Sequence, residues 1–321
     1  MGSLVGNGLS GTLPKEPEMW AKYLVAKESF WHPSPLDTVI DDADWTFRLN
    51  DGLRKALLRT LASLSAIKSI VADHLMPTIV REVGLVEASR YLELQTVVEH
   101  IHLDTYDELR ARLLSSCPDA AIRVCTSAED YASQAKTAWA MRLVNDPSKG
   151  LEDRLLAFMC LERIYTASFS ILVAWLRKRA FLPRMCRLVD LICRDEDRHV
   201  KFARDILNHL RSCPSLIYIK SMVSEAVALE TEFAADYPAL FSLEKTSGVA
   251  DYIKHRADDL VTSLGCPKLY HACNPFEVRS GPPCASRPTI FERRIVSHHQ
   301  LPLLGDIHDV LGPFSASAFG Y

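Results

Sequence analysis

Val97-Val98-Glu99-His100-Ile101-His102-Leu103-Asp104-Thr105-Tyr106 and Leu191-Ile192-Cys193-Arg194-Asp195-Glu196-Asp197-Arg198-His199-Val200 each set a Glu-x-x-His into an apolar pattern. Residues three apart share a helix face, so each stretch aims one carboxylate and one imidazole at a common point. Glu162 adds an acid within the apolar run LLAFMCLERIYTASFSILVAW (155–175). Two such pairs, joined by single carboxylates from two further helices, compose a dimetal centre in the core of a helical bundle. Here both pairs and one clear single acid are present, and one ligand is missing. A lone Glu-x-x-His is an ordinary solvated face, and Glu162 alone could simply pair with Arg163. Two copies flanked by Val97, Val98, Ile101, Leu191, Ile192 and Val200 are different, because buried carboxylates and imidazoles are costly unless paired or metallated. Glu93 and Glu108 lie off the His102 face and read as solvated. Cys160 and Cys193 read as core fillers.

The 321 residues are 48% hydrophobic and 24% charged with a formal charge of −3. That is an ordinary globular composition with no electrostatic case for nucleic acid or an anionic membrane. Nine cysteines, odd in number and without Cys-x-x-Cys, suit reduced thiols in a cytoplasmic protein. No basic-then-apolar leader opens the sequence. The most apolar window, Ala167 to Trp175, is too short to span a bilayer and reads as a buried helix. Residues 1–16 are Gly/Ser/Leu-rich at their start and are expected to be disordered. Apolar spacing of three and four then predicts helices at 18–31, 50–82, 84–115, 127–145, 150–179, 183–211, 215–243 and 248–264, forming one bundle over 17–264. Lengths near 30 residues suit an extended bundle. Pro267, Pro275, Pro282, Pro283 and Pro288 then stop helix formation, so 265–321 is expected to be an irregular wrap and tail.

Several motifs carry a family resemblance. PEMWAKYLVAKESFW (17–31), EHIHLDTY (99–106), KTAW (136–139), LERIYTASF (161–169), WLRKRAFLP (175–183), RDEDRHVKFA (194–203), NPFEV (274–278) and TIFERR (289–294) occur in order. Over about residues 17–300 the chain resembles the small subunit of class I ribonucleotide reductase, eukaryotic type, as a diverged member. The resemblance implies an all-α, ferritin-like helical bundle with a non-helical C-terminal wrap. Position by position, Glu99, His102, Glu162, Glu196 and His199 match five of the family's six metal ligands. Tyr106 matches the tyrosine that holds the stable radical. Trp31 and Asp195, with His102, match the groups that move an electron and a proton towards the large subunit. The sixth ligand, an Asp in the family, falls on Lys68 in LASLSAIKSIVADHL (61–75). Asp73 cannot replace it, since five residues along a helix is about 140° of rotation. Thr166 stands where the family usually has a Phe beside the oxygen pocket, a smaller and more polar group. The end of the chain, GDIHDVLGPFSASAFGY (305–321), lacks the family's acidic–aromatic docking peptide.

Lys68 changes the charge balance. Four carboxylates balance two divalent ions, whereas three carboxylates and an ammonium carry −2 and balance one. The ammonium is expected to occupy one metal position beside Glu99 or Glu196. The other position would then be built from Glu162, Glu196 and His199 with help from Glu99. A neutral amine that ligates, giving a full dimetal centre, is the alternative. The implied cofactor is iron or manganese, one or two ions per chain, since both suit N/O ligands. The resemblance implies an O2-activating oxidoreductase, expected here as a paralogue that oxidises a small molecule in specialised metabolism. Lys68, Thr166 and the tail favour that reading. Tyr106, Trp31 and Asp195 favour an orthodox ribonucleoside-diphosphate reductase small subunit, which supplies a tyrosyl radical for deoxyribonucleotide synthesis on a large subunit. A non-enzymatic paralogue that stabilises an intact small subunit is a third reading, opposed by the five retained ligands. The expected assembly is a homodimer, or a heterodimer with a related small subunit.

Overall fold

Two helix starts are written in side chains. Asn50 Oδ1 accepts from Leu53 N at 2.9 Å, and Ser215 Oγ accepts from Tyr218 N, each satisfying a donor that the first turn leaves free. Pro17 and Pro183 occupy first-turn positions where a missing N–H does no harm. The computed structural model describes residues 14–31, 39–116, 130–210, 213–237 and 247–276. It contains α1 (Pro17–Glu28), α2 (Val39–Ala43), α3 (Asp51–Ile70), α4 (Met76–Glu82), α5 (Val86–Ser115), α6 (Tyr131–Asn145), α7 (Leu151–Arg163), α8 (Ala167–Lys178), α9 (Pro183–Leu210), α10 (Leu216–Phe233) and α11 (Ser247–Ser263). π-helical turns occupy Asp44–Arg48 and Val71–Leu75. No strand occurs among the described residues, and the all-α expectation holds.

α3 packs on α5 and α7 on α9, while α5 also touches α9, so these four helices enclose one core. Leu57, Leu61 and Leu64 of α3, Leu92 and Leu109 of α5, Leu155 and Phe158 of α7, and Ile192 and Ile206 of α9 are buried there. Each contributes about 1.5–3 kcal/mol relative to exposure. The stretch Leu151–Lys178 is long and apolar enough to cross a membrane by composition, but it is mostly buried inside the bundle.

The structure departs from the expected helices in three places. The predicted 50–82 helix widens into a π turn just after Lys68 before continuing as α4. The predicted 150–179 helix is broken at Ile164–Thr166, and the predicted 215–243 helix stops at Phe233. An unexpected segment, α2 with its π turn, supplies Asp41 and Asp44. Their carboxylates accept from the backbone N–H groups of Arg184, Met185 and Leu182, capping the start of α9.

α11 ends in a left-handed Gly265 (φ +76°), where Cys266 N reaches back to Val261 O and Gly265 N to Thr262 O. The segment that follows is non-helical through Phe276. Buried Asp258 ties it down by accepting from Leu269, Tyr270 and Ala272 N–H groups at 2.8–2.9 Å. The chain divides into a unit ending at Pro275 and a second beginning at Phe276. The expected disorder of 1–16, at residues 1–13, and the tail from 277 onwards, including TIFERR, lie outside the described residues.

Candidate metal-carboxylate site

Four helices each deliver side chains to one buried point. On α5 the spacing of three and four puts Glu99, His102 and Tyr106 on the inward face, all essentially inaccessible to solvent. His100, one residue from Glu99, turns outward and meets Asp73 on the surface at 3.1 Å. Asp73 is therefore exposed and engaged elsewhere, as its angular offset from Lys68 predicts. α7 supplies Glu162, α9 supplies Asp195, Glu196 and His199, and α3 supplies Lys68, all buried.

Lys68 lies among the carboxylates. Its Nζ donates to Glu99 Oε2 at 2.9 Å and to Glu162 Oε1 at 2.7 Å, and it sits 3.1 Å from Glu196 Oε1 without hydrogen-bond alignment. The expected bridge to Glu99 or Glu196 thus becomes a three-way contact in which Glu162 is closest. The other oxygens of Glu99 and Glu162 are left over. One ligand atom from each of Glu99, Glu162 and His199 lies within 4.8 Å of the others, and Glu162 Oε2 is 3.9 Å from His199 Nδ1. His199 Nδ1 is 2.7 Å from Glu99 Oε1, yet none of the three atoms has an aligned hydrogen-bond partner. Glu99, rather than Glu196, completes this set, because Glu196 turns to the ammonium.

The electrostatics follow from burial and mutual charge. Burial opposes the charge on Lys68, but Glu162, Glu99 and Glu196 outweigh it and hold its pKa well above the ordinary lysine value. Three carboxylate oxygens at 2.7–3.1 Å favour the charged form of the amine. Burial pushes Glu99 up, and Lys68 with His199 overcomes it and takes the carboxyl well below its usual range. Glu196 is pushed up to about 7, chiefly by burial and then by the charge of Glu162, against the pull of Lys68. His199 is raised to about 9, because Glu99 and Glu162 more than offset its burial.

The donor set fits one divalent ion. Two carboxylate oxygens and an imidazole nitrogen, buried, converging and unpartnered, match what iron or manganese takes. Lys68 Nζ sits among the remaining carboxylate oxygens. His102 keeps both ring nitrogens unpartnered, with Nδ1 3.5 Å from Glu99 Oε2.

From His102 a chain of groups leads outward. His102 Nε2 lies 3.6 Å from Asp195 Oδ2, which accepts from the Trp31 indole N–H at 2.6 Å. The Trp31 and His102 rings stack at 6.2 Å. Burial disfavours the Asp195 carboxylate, but contacts with His102 and Trp31 bring its pKa below the usual range. Trp31, Tyr91, Asp195, Arg198 and His199 line a recess of about 20 Å³, room for roughly one water. Tyr106 packs edge-on against Phe169 at 6.0 Å, and burial raises its phenol well above the ordinary value.

Thr166 does not add a free polar group to the site, because its hydroxyl donates to Glu162 O at 2.8 Å. Cys160 is buried, as a core filler should be, and Cys193 is partly exposed; burial of the thiol raises the pKa of both. Arg163 pairs with Asp197, not with Glu162, clamping α7 to α9 beside two of the acids. The residues that sequence reasoning missed are Glu230 and Lys136, a second buried ion pair. Lys136 opens the KTAW motif, the one signal that could have drawn attention to it.

Comparison with known proteins agrees with this geometry. The family model described as ribonucleotide reductase, small chain, matches residues 13–275. The ribonucleoside-diphosphate reductase small chain of Schizosaccharomyces pombe is 30% identical over 289 residues, covering 89% of this chain and 73% of that one. The small chain from Nicotiana tabacum is 28% identical over 293 residues, covering 91% and 88%. In fold, the chain superposes on the ribonucleotide reductase Rnr4 homodimer structure from Saccharomyces cerevisiae with a TM-score of 0.74 at 23% identity, covering 91% and 90%. The dimanganese(II)-NrdF structure from Streptococcus sanguinis gives 0.68 at 12% identity, covering 83% and 95%. A helical fold, a buried carboxylate–imidazole cluster and a family match over most of the length lead to one conclusion: this chain belongs to the ribonucleotide reductase small-chain family.

Proposed function

We propose that this chain is an attenuated small-chain oxidoreductase, with the residues of its outward relay retained and its centre short by one ion. The observation that carries the reading is Lys68 Nζ, 2.7–3.1 Å from three buried carboxylates, with one unpartnered O,O,N set left beside it. Iron or manganese at Glu99, Glu162 and His199 would supply one-electron redox chemistry and dioxygen reduction. Lys68 holds the charge of the second cation permanently, and an ammonium has no accessible redox state. His102, Asp195 and Trp31 exchange an electron and a proton with a partner docked outside the fold. Asp195 keeps its carboxylate between the imidazole and the indole N–H. Tyr106 is the residue placed to hold an oxidising equivalent, and its high phenol pKa keeps its proton on oxygen in the resting state.

The partner that this relay suits is a large reductase subunit, as the names of the relatives suggest. The assembly is a dimer of small chains, in the cytoplasm. A second reading, oxidation of a small molecule in specialised metabolism, draws on the same lysine and on Thr166.

The test is a gain of function. Lys68→Asp should raise the ion count, give a tyrosyl signal on exposure of the ferrous protein to oxygen, and increase deoxynucleotide formation with a large subunit from the same source. Wild type should be weak in all three. Strong deoxynucleotide formation by wild type with two ions bound would overturn the reading, and turnover of a small molecule without a large subunit would favour the second.

A further inference from the structure

Lys136 of α6 and Glu230 of α10 form a second fully buried ion pair, at 2.7 Å, that belongs to no ligand set. A buried ion pair is seldom the most stable filling for a core, so its placement calls for a specific reason. The reason lies in the break between α7 and α8. At Ile164–Thr166 the helical ladder fails. Ala167 N bonds to Ile164 O at 3.0 Å, which takes the carbonyl that Ser168 N would have used in a continuous helix. Ser168 N instead donates to Glu230 Oε1 at 3.0 Å. On the other side of the break, Tyr165 O is approached by Lys136 Nζ at 3.5 Å. The ammonium is further held over the rings of Tyr165 and Phe233, at 4.7 and 4.2 Å. One backbone donor and one backbone acceptor freed by the break therefore meet opposite ends of one ion pair.

The break begins two residues after Glu162. The Glu162 carbonyl accepts from Thr166 Oγ1, inside the break, while its carboxylate takes the shortest contact to Lys68. We infer that Lys136 and Glu230 are positioning residues for the metal-carboxylate centre: they fix the α7–α8 break and so set where Glu162 presents its carboxylate. The inference rests on the reading of Glu99, Glu162 and His199 as an ion site, and it explains why charge is kept at a core position that a hydrophobic pair would fill.

Two variants test it in the full chain. Lys136→Met with Glu230→Met removes both charges and the acceptor for Ser168 N at similar volume, whereas Glu230→Gln alone keeps an acceptor there. Affinity for Mn(II), measured by titration with electron paramagnetic resonance, should fall about 10–100-fold in the double variant, as for other residues that orient ligands. Lys136→Arg, a conservative control that keeps the charge beside Glu230, should retain most of it. Hydrogen exchange, read without metal, should quicken in the peptide spanning 163–170 and stay unchanged in α5 and α9. Wild type that binds no Mn(II) would sink the ion-site reading and leave the exchange result as the measure of this one. A folded double variant with wild-type Mn(II) affinity and exchange would overturn the inference. So would failure of both variants to fold, since the pair would then serve overall stability and not the placement of Glu162.

Discussion

Replacing Lys68 with Met keeps the length of the side chain and removes its charge. Glu99, Glu162 and Glu196 would then share a buried space with no ammonium among them, although Lys68 now contacts all three at 2.7–3.1 Å. Removing one member of a buried ion cluster costs about 3–5 kcal/mol, because the remaining charges stay desolvated and unpaired. At about 2–4 °C per kcal/mol for domains of 150–250 residues, metal-stripped Lys68→Met should melt roughly 6–20 °C below metal-stripped wild type. The lower part of that range suits a chain of this length. Mn(II) should narrow the gap, because the vacated position becomes available to a second ion, and a ligand at 100 times its Kd adds about 2.7 kcal/mol. Circular dichroism melts of both proteins, with chelator and with excess Mn(II), provide the assay. A chelated Lys68→Met that melts within a degree or two of wild type would refute the claim that the ammonium neutralises these carboxylates.

Trp31→Phe deletes the 2.6 Å bond to Asp195 and keeps an aromatic ring against His102. In the Lys68→Asp background it should leave ion content unchanged and abolish deoxynucleotide formation, which a coupled activity assay beside metal analysis would show. Tyr106→Phe in that background should remove the tyrosyl resonance and shift the melting temperature little, since the buried ring contact with Phe169 survives. Asp258→Ala strips the acceptor from three backbone donors at once. It should lower stability by at least about 2 kcal/mol and speed hydrogen exchange at 269–272; unchanged exchange there would show that the segment is held by other contacts.

Most of the bundle was legible because long helices repeat their apolar face every three to four residues, and the Glu-x-x-His spacing selects one face. The missing carboxylate was also legible, since Lys68 is a charge of the wrong sign in an apolar run. Its partners were not. Periodicity fixes which way Glu162 and Glu196 point on their own helices, but not which of their oxygens an amine on α3 reaches. Glu99 thus serves both groups, bonding Lys68 through one oxygen and facing His199 with the other, while Glu196 faces the ammonium. The break at Ile164–Thr166 escaped notice because apolar residues continue across it in helical spacing. It is held by Lys136 and Glu230, 94 residues apart in sequence, and by the Thr166 hydroxyl donating to the Glu162 carbonyl one turn back. Asp41 and Asp44 escaped for a similar reason: their carboxylates cap a helix that begins about 140 residues later.

On the proposed reading, the Lys68 ammonium stands where the second cation of a dimetal centre would sit. Metal content measures this directly: load wild type and Lys68→Asp anaerobically with Fe(II) or Mn(II), remove free ion, and determine ions per chain. Wild type should hold close to one ion and Lys68→Asp close to two. Two tightly held ions in wild type would contradict it, because three carboxylates cannot pack closely around Lys68 and two divalent cations at once.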